Sequence, residues 1–412
     1  MFAAVQDPTF RRVWAFGGFY YTYRATELAV LSWFVLTLTD SEFSVALVGV
    51  SRIAPMFLFG LVAGSLSDRF SRPRLMAIGQ SSNLAASGAM AVLLILDAAQ
   101  FWHAYVMIFI TGTTWALDYA SRRALLGEIF SGKALTNATA LDAGLVTGSN
   151  MIGPLLGTLL IRVLDFEGAY IGIAFLTVGA FSIVLSIRSR SAGAGGSAKR
   201  GSPLTQLRES ISLLRTNRVL LGAVLVTIVF NMLGWPFVQM VSVIGRDHLG
   251  VGEVGFGLLL SGLGAGSLTG AALLAWAQPA SRGNVYVGGT AIHMVAAGTF
   301  AIAPWYPLAL LAMFVAGVGL AAFATMQPVI PLEAVTPDQR GRAMGAIVLG
   351  IGFQAVGLGV LGLAAELVGP RLAILVMVSL GLVVLFTLRS MFPALRDEHP
   401  PVLQSDRGTT EG

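Results

Sequence analysis

Apolar stretches of about twenty residues or more recur twelve times along the chain, most of them divided only by short polar breaks. A run of that length as a helix matches the hydrocarbon thickness of a bilayer. Lipid offers backbone N–H and C=O groups no partners, so such runs must close their hydrogen bonds internally, as helices do. Candidate spans fall at roughly 13–38, 44–66, 75–96, 103–121, 141–163, 168–187, 219–244, 255–277, 285–303, 307–328, 343–366 and 371–389. The first begins at Val13 and lacks a small-residue cleavage site, so it reads as a retained helix rather than a signal peptide. The fold expected is all-α integral membrane, with twelve transmembrane helices in two six-helix bundles.

Composition agrees with lipid as the solvent. Hydrophobic residues make up 55% of the chain and charged ones only 11%, with a mean hydropathy of +0.78. Too little polar surface remains to cover a water-soluble globule. Glycine is abundant, 49 of 412 residues; between helices in lipid, close backbone approach replaces the hydrophobic drive. Cysteine is absent, which excludes disulfides and thiolate metal sites.

The basic residues set an orientation. With both termini cytoplasmic, the opposite side keeps only Arg162, Arg246 and Arg371, and Arg24 and Arg52 fall inside spans. All other Lys and Arg, Arg122 and Arg123 included, lie on the cytoplasmic side, as the positive-inside rule requires. The net charge of +5 follows from this topology and does not indicate nucleic-acid binding. The expected location is the cell (inner, cytoplasmic) membrane, multi-pass.

One long Gly/Ser/basic stretch, 189–218, reads as a cytoplasmic linker. It divides an N-terminal six-helix bundle (1–188) from a C-terminal one (219–390), with a cytoplasmic tail at 391–412. The halves echo each other: an offset of about 205 residues sets Glu128 on Glu333 and Gly157 on Gly362. Repeated halves of this kind mark transporters, with substrate held between them near mid-membrane. Polar residues inside spans recur every third helix. Helix 1 carries Thr22, Arg24, Thr26 and Glu27; helix 4 has Thr111, Thr113, Thr114 and Asp118; helix 7 has Asn231 and Gln239; helix 10 has Thr325 and Gln327. A central cavity walled by helices 1, 4, 7 and 10 follows, since lipid-facing polar groups are costly. Gln80 and Asn83 in helix 3 and His293 in helix 9 stand outside this pattern.

The loop after helix 2 reads GSLSDRFSRPR, from Gly64 to Arg74. It resembles the signature loop of the major facilitator superfamily, with Asp68, Arg69 and Arg72 at the matching positions, and the resemblance spans about residues 10–390. Helix 5 reads GSNMIGPLLGT; its Gly148, Gly153, Pro154 and Gly157 resemble the superfamily's exporter motif, with Thr158 in place of the final Gly. The segment SRRALLGEIF at the end of helix 4 is similar to one in the branch of drug, macrolide and siderophore exporters. Arg122 matches its arginine, and Ala120 and Gly127 replace its prolines. The resemblance implies the superfamily fold, export, and a functional role for Arg122.

Each charge has a functional and a structural reading. Gly64, Asp68, Arg69 and Arg72 form a conformational latch at the cytoplasmic helix 2–3 turn, or serve as plain anchoring; the second-half equivalent near AWAQPASRG lacks the acid, so the expected latch is lopsided. Arg24 and Glu27, three apart on one face, and Arg52 are either a proton or substrate site or a structural ion pair. Asp118 and Arg122, four apart, with Asp142 in the first turns of helix 5, are either a protonatable relay or a helix-end salt bridge with a favourable carboxylate at a helix N-terminus. Arg52, Asn231, Gln239 and Gln327 are cavity candidates. His293 is expected to pack, and Trp235-Pro236 to kink helix 7.

No nucleotide-binding motif, His/Asp/Glu metal spacing or catalytic constellation occurs. No cofactor, metal or enzymatic activity is therefore expected. The expected function is secondary active, proton-coupled export of an amphipathic or hydrophobic small organic molecule by a monomer, whose partners are the substrate, protons and membrane lipids. The rival readings are metabolite uptake and movement of lipid or lysolipid between leaflets.

Overall fold

A computed structural model describes residues 3–130, 132–187, 212–279, 281–336, 339–392 and 395–396. Side chains of a few further residues, among them 57, 60–65, 67–69, 120, 132–133 and 136, are likewise not described. Twelve long helices account for nearly all of the described chain. They are α1 (Pro8–Thr39), α2 (Glu42–Arg69), α3 (Arg72–Ile95), α4 (Phe101–Ile129), α5 (132–164) and α6 (166–185). The second half follows with α7 (Arg218–Asp247), α8 (Glu253–Ala277), α9 (Arg282–Ile302), α10 (Tyr306–Glu333), α11 (Arg340–Val368) and α12 (Pro370–Met391). With α5 and α6 taken as one stretch, eight segments among the described residues are long and apolar enough to cross a membrane. The expected linker at 189–218 lies mostly outside the described residues.

Short polar turns set the helix boundaries. Asp7 caps α1, accepting from the amides of Thr9 and Phe10, and Pro8 supplies a preset φ at the first helical position. Asp40 ends α1 in the left-handed region (φ 50), and Ser41 caps α2 directly after it. Asp165, also left-handed (φ 56), breaks α5 from α6. In α7 the α-helix gives way to a π turn at Phe230–Gly234 and a 3-10 stretch at Trp235–Met240. Pro236 has no N–H to carry the regular ladder through that region, so the expected distortion is present.

At the end of α4 the helices run further than the apolar pattern implied. The apolar spans stop at 121 and resume at 141; α4 continues through SRRALLGEIF, the segment read as the end of helix 4, to Ile129, and α5 starts at Gly132, earlier than its span. The segment carries no Pro, and its Ala, Leu, Glu and Arg residues favour helix. Two consequences follow. Arg122 is not in a cytoplasmic loop but inside the bundle, 1% exposed. Asp142 is in the third turn of α5, too far from its start for a helix-end charge effect.

The halves meet along α5 with α8 and α2 with α11. Small residues allow these approaches. A Cβ on Gly264 would lie 2.6 Å from the Met151 backbone, and one on Gly257 would strike the Thr158 side chain. Gly362 meets Ala46 of α2 in the same way. Within the first half, Gly153 and Gly157 of the helix 5 motif let α5 lie against Ala25 and Thr26 of α1, and Thr26 donates to the Gly153 carbonyl at 3.0 Å. Pro154 is buried in that contact region, whereas a Cβ on Gly148 would meet nothing within 4 Å.

Candidate functional site

Several hydrogen bonds and ion pairs between described residues join the halves at the arginine-poor end and toward mid-membrane. Arg246, at the end of α7, pairs with Asp40 and donates to the Leu36 carbonyl at 3.1 Å. Glu366 of α11 accepts from the Ser41 hydroxyl (3.1 Å) and the Phe43 amide (3.2 Å), so the second half helps to cap α2. Arg162 approaches Glu253 at 3.9 Å. One layer deeper, Gln239 donates to Ser32 at 2.9 Å and Trp33 stacks on Phe256.

At the arginine-rich end, Arg72 pairs with Glu128 in the first half and Arg282 with Glu333 in the second. The offset that set Glu128 on Glu333 therefore has a physical counterpart: each acid ends its helix against an arginine that opens the preceding one. Glu333 thus matches Glu128, and the second-half turn still has no counterpart of Asp68. The backbones of Gly64, Asp68 and Arg69 lie in the last turns of α2; their side chains fall outside the described residues.

The intramembrane charges gather in the first half, in two groups. Arg122 forms a fork with Asp118, Nε to Oδ2 at 3.0 Å and Nη2 to Oδ1 at 3.2 Å. Its remaining Nη1 reaches the Val13 carbonyl at 3.3 Å and Asp142 at 3.5 Å, and Tyr21 donates to Asp142 at 3.1 Å. The guanidinium lies over Phe16 and Tyr21, and Gly17 leaves it room: a Cβ there would sit 2.9 Å from Nη1. Arg122 is thus fully committed to protein partners.

The second group is less satisfied. Glu27 is 1% exposed, with Arg52 and Arg24 as its charged neighbours; the Thr111 hydroxyl lies close to it but donates to the Ile108 carbonyl at 3.1 Å, which leaves both carboxylate oxygens without a well-formed hydrogen bond among the described residues. The hydroxyls of Tyr20, Tyr23 and Tyr170 are also buried without partners. Arg52 donates to the Arg24 carbonyl at 3.0 Å, tying α2 to α1. Arg24 stacks over Trp115, 4.4 Å from its ring centre, and among the described residues meets no carboxylate at ion-pairing distance.

The remaining polar candidates divide differently. Gln239 is a tie between halves rather than an open wall, and Asn231 donates to the Thr227 carbonyl at 2.9 Å. Gln327 is half-buried. Gln80 and Asn83, the exceptions in helix 3, bond each other at 3.0 Å, and Thr114 donates to Asn83 at 2.6 Å; they pin α3 to α4. His293 is packed as expected, its Nδ1 2.8 Å from the Ala316 carbonyl among Phe230, Trp235 and Phe237. Sequence reasoning missed Gly17, Tyr20, Tyr21 and Trp115. The run FGGFYYTYR at 16–24 carried the signal, an aromatic face beside a charge. No group of acids and histidines suited to a metal ion occurs among the described residues.

Known proteins give this arrangement a context. The chain is 24% identical over 375 residues to the uncharacterized MFS-type transporter YfiS of Bacillus subtilis, covering 87% of this chain and 88% of that protein. It is 27% identical over 304 residues to the multidrug transporter MdfA of Edwardsiella ictaluri, 71% of each chain. Its fold matches a bacterial homolog of the human lysosomal transporter Spinster with a TM-score of 0.71 at 14% identity, covering 95% of this chain and 99% of that one. Residues 13–347 match the family model of the Major Facilitator Superfamily. Twelve helices in two halves, with charges inside the first, belong to a membrane transporter, and this chain is a member of the Major Facilitator Superfamily.

Proposed function

We propose that the protein is a proton-coupled secondary exporter of an amphipathic small organic molecule, working as a monomer in the cytoplasmic membrane. Both termini face the cytoplasm, as the arginine asymmetry favours, and 1–188 rocks against 219–390 about the linker at 189–218, with 391–412 as a cytoplasmic tail. The interactions tying the halves at the arginine-poor end then describe a state closed to the outside and poised toward the cytoplasm. Outward opening breaks Arg246–Asp40 and Glu366–Ser41 and is balanced by closure around the helix 2–3 turn, with Asp68, Arg69 and Arg72 as its latch. The exporter-like packing of α5 on α1 through Gly153 and Gly157, and the similarity to a multidrug transporter, favour export over uptake.

One observation carries the coupling: Glu27 is a buried carboxylate with no well-formed hydrogen bond among the described residues, its nearest donor, the Thr111 hydroxyl, being turned to the Ile108 carbonyl. In so dry a setting an ionised carboxylate is costly, and it is relieved by a proton, by water or by a cation. Glu27 is therefore the proton carrier in this reading. The Asp118–Arg122–Asp142 cluster holds α1, α4 and α5 together and relays protonation as the halves move. The test is uptake of a substrate panel into inside-out proteoliposomes, with and without a pH gradient. Glu27→Gln is expected to lower gradient-driven accumulation at least about tenfold while leaving counterflow exchange intact. Asp118→Asn is expected to reduce both. If neither substitution alters gradient-driven transport, the proton assignment is wrong.

A further inference from the structure

Three arginines lie within the first half, and their N–H groups are used very differently. Those of Arg122 go to Asp118, Asp142 and the Val13 carbonyl. Arg52 is tied to the Arg24 carbonyl and neighbours Glu27. Arg24 is 8% exposed, yet among the described residues its guanidinium has neither a hydrogen bond nor an ion pair. Its guanidinium carbon lies over the Trp115 ring, 4.4 Å from the ring centre, and 5.7 Å from the centre of Tyr20. A guanidinium spreads its N–H groups in one plane, as a fork that fits two oxygens of one anion. A buried cation with its donors unused is a site awaiting a partner.

The surroundings give the site a direction. Trp115, Tyr119 and Arg123 are spaced four apart on α4, so they share a face. Exposure rises along it from half-buried Trp115 to Tyr119 at 38% and exposed Arg123. Trp115 and Tyr119 meet edge to face, and Arg123 stacks on Tyr119 at 4.5 Å. Val106, exposed on α4, lies roughly two and a half turns from Trp115 and so on the opposite side of the helix. On α1, Ser32, about two turns beyond Arg24, bonds Gln239 of the second half, which puts Arg24 on the arginine-rich side of that contact.

We propose that Arg24 docks an anionic group, a carboxylate or a sulfonate, of an aromatic amphipathic substrate whose ring packs along Trp115 and Tyr119, with Arg123 drawing the anion in at the arginine-rich mouth. This rests on the exporter reading and gives its substrate class. An inside-negative membrane potential drives an anion outward, which suits export. The tyrosine hydroxyls without partners, at Tyr20 and Tyr23, add further donors close by.

Three probes of one shape test the charge: naphthalene-2-sulfonate (anion), naphthalene-2-sulfonamide (neutral) and 2-naphthyltrimethylammonium (cation). Binding to the purified full chain is read by titrated thermal shift, and transport by accumulation in inside-out proteoliposomes. The sulfonate is expected to bind at least about tenfold tighter than the other two. Arg24→Gln should erase that preference while changing binding of the neutral probe by less than about twofold, and Trp115→Leu should weaken all three. If Arg24→Gln does not purify as a monodisperse protein, Arg24→Lys serves instead, and it should lose part of the preference because a point charge cannot fork or stack. Equal binding of the three probes, preference for the cation, absence of binding by any probe, or a preference untouched at Arg24 overturns the proposal. Arg24-dependent binding of the sulfonate without transport of any probe upholds the site and counts against the exporter reading. Transport without charge preference does the reverse.

Discussion

Between α1, α2, α4 and α5 the first half buries or half-buries Arg24, Arg52, Arg122, Glu27, Asp118 and Asp142; the second half, built on the same six-helix plan, buries Thr227, Asn231, Gln239, Thr290 and His293. No Asp, Glu, Lys or Arg is among the buried residues described there. The repeat preserves what packing needs: small residues where helices cross, and the paired arginine and acid at the arginine-rich turn of each half. It does not preserve interior charge. An ionisable group inside the membrane is costly and persists where it is paired, hydrated or in use. One half can therefore hold the chemistry while the other supplies a wall and a gate.

The strongest test of that contrast is Arg122→Met. It leaves Asp118 buried without its fork partner, and the expected loss is about 3–5 kcal/mol, read as a collapse of thermal stability in detergent. Asp118→Asn combined with Arg122→Met should cost less than the two separate losses added together, because no lone charge is left. Additive losses would mean that the pair is not the unit described here.

A next, smaller effect concerns the gate. Gly264→Leu puts side-chain atoms into the α8–α5 approach, where Met151 lies at 2.6 Å from a Cβ. Overpacking of about 1–3 kcal/mol is expected to favour the state opened at the arginine-poor end. Because the chain has no cysteine, spin labels on Phe43→Cys and Leu249→Cys can report the distance between halves directly. An unchanged distance distribution would show that this contact does not hold the gate. Arg246→Ala should move the same distribution in the same direction but less, since a partly exposed ion pair is worth at most about 1 kcal/mol, a shift of about fivefold.

The smallest effect is expected in the second half. His293→Gln should leave gradient-driven transport within about twofold of the parent protein, because the ring contacts a backbone carbonyl and aromatic neighbours rather than any acid. A loss comparable to that of Glu27→Gln in the same proteoliposomes would move part of the coupling into the second half and break the division drawn here.

Much of the architecture was legible in residue order. The span positions fell within several residues of the helices, the pairing of Glu128 with Glu333 emerged as two equivalent ion pairs, and the Trp235-Pro236 distortion and packed His293 appeared where expected. The misreadings share a cause. The apolar span of helix 4 stops at 121 because Arg122, Arg123 and Glu128 are charged, yet the helix runs on to Ile129, since helix formation depends on backbone propensity and on neighbours that absorb the charge. Asp142 took the role of a helix-start charge for the same reason. Gln239 looked like cavity lining because nothing in its own helix reveals Ser32, 207 residues away.

Residue order alone determined that the chain crosses a membrane many times, that it repeats itself, and on which side its arginines gather, because insertion free energy is set by local composition and length. Only the tertiary structure decided which charges are satisfied. Arg24, Arg52 and Arg122 are alike in sequence, but one is stacked and unclaimed, one is tied to a backbone carbonyl, and one is locked between two acids. The free energy of a buried charge lies in the few ångströms around it, and those neighbours come from distant parts of the chain.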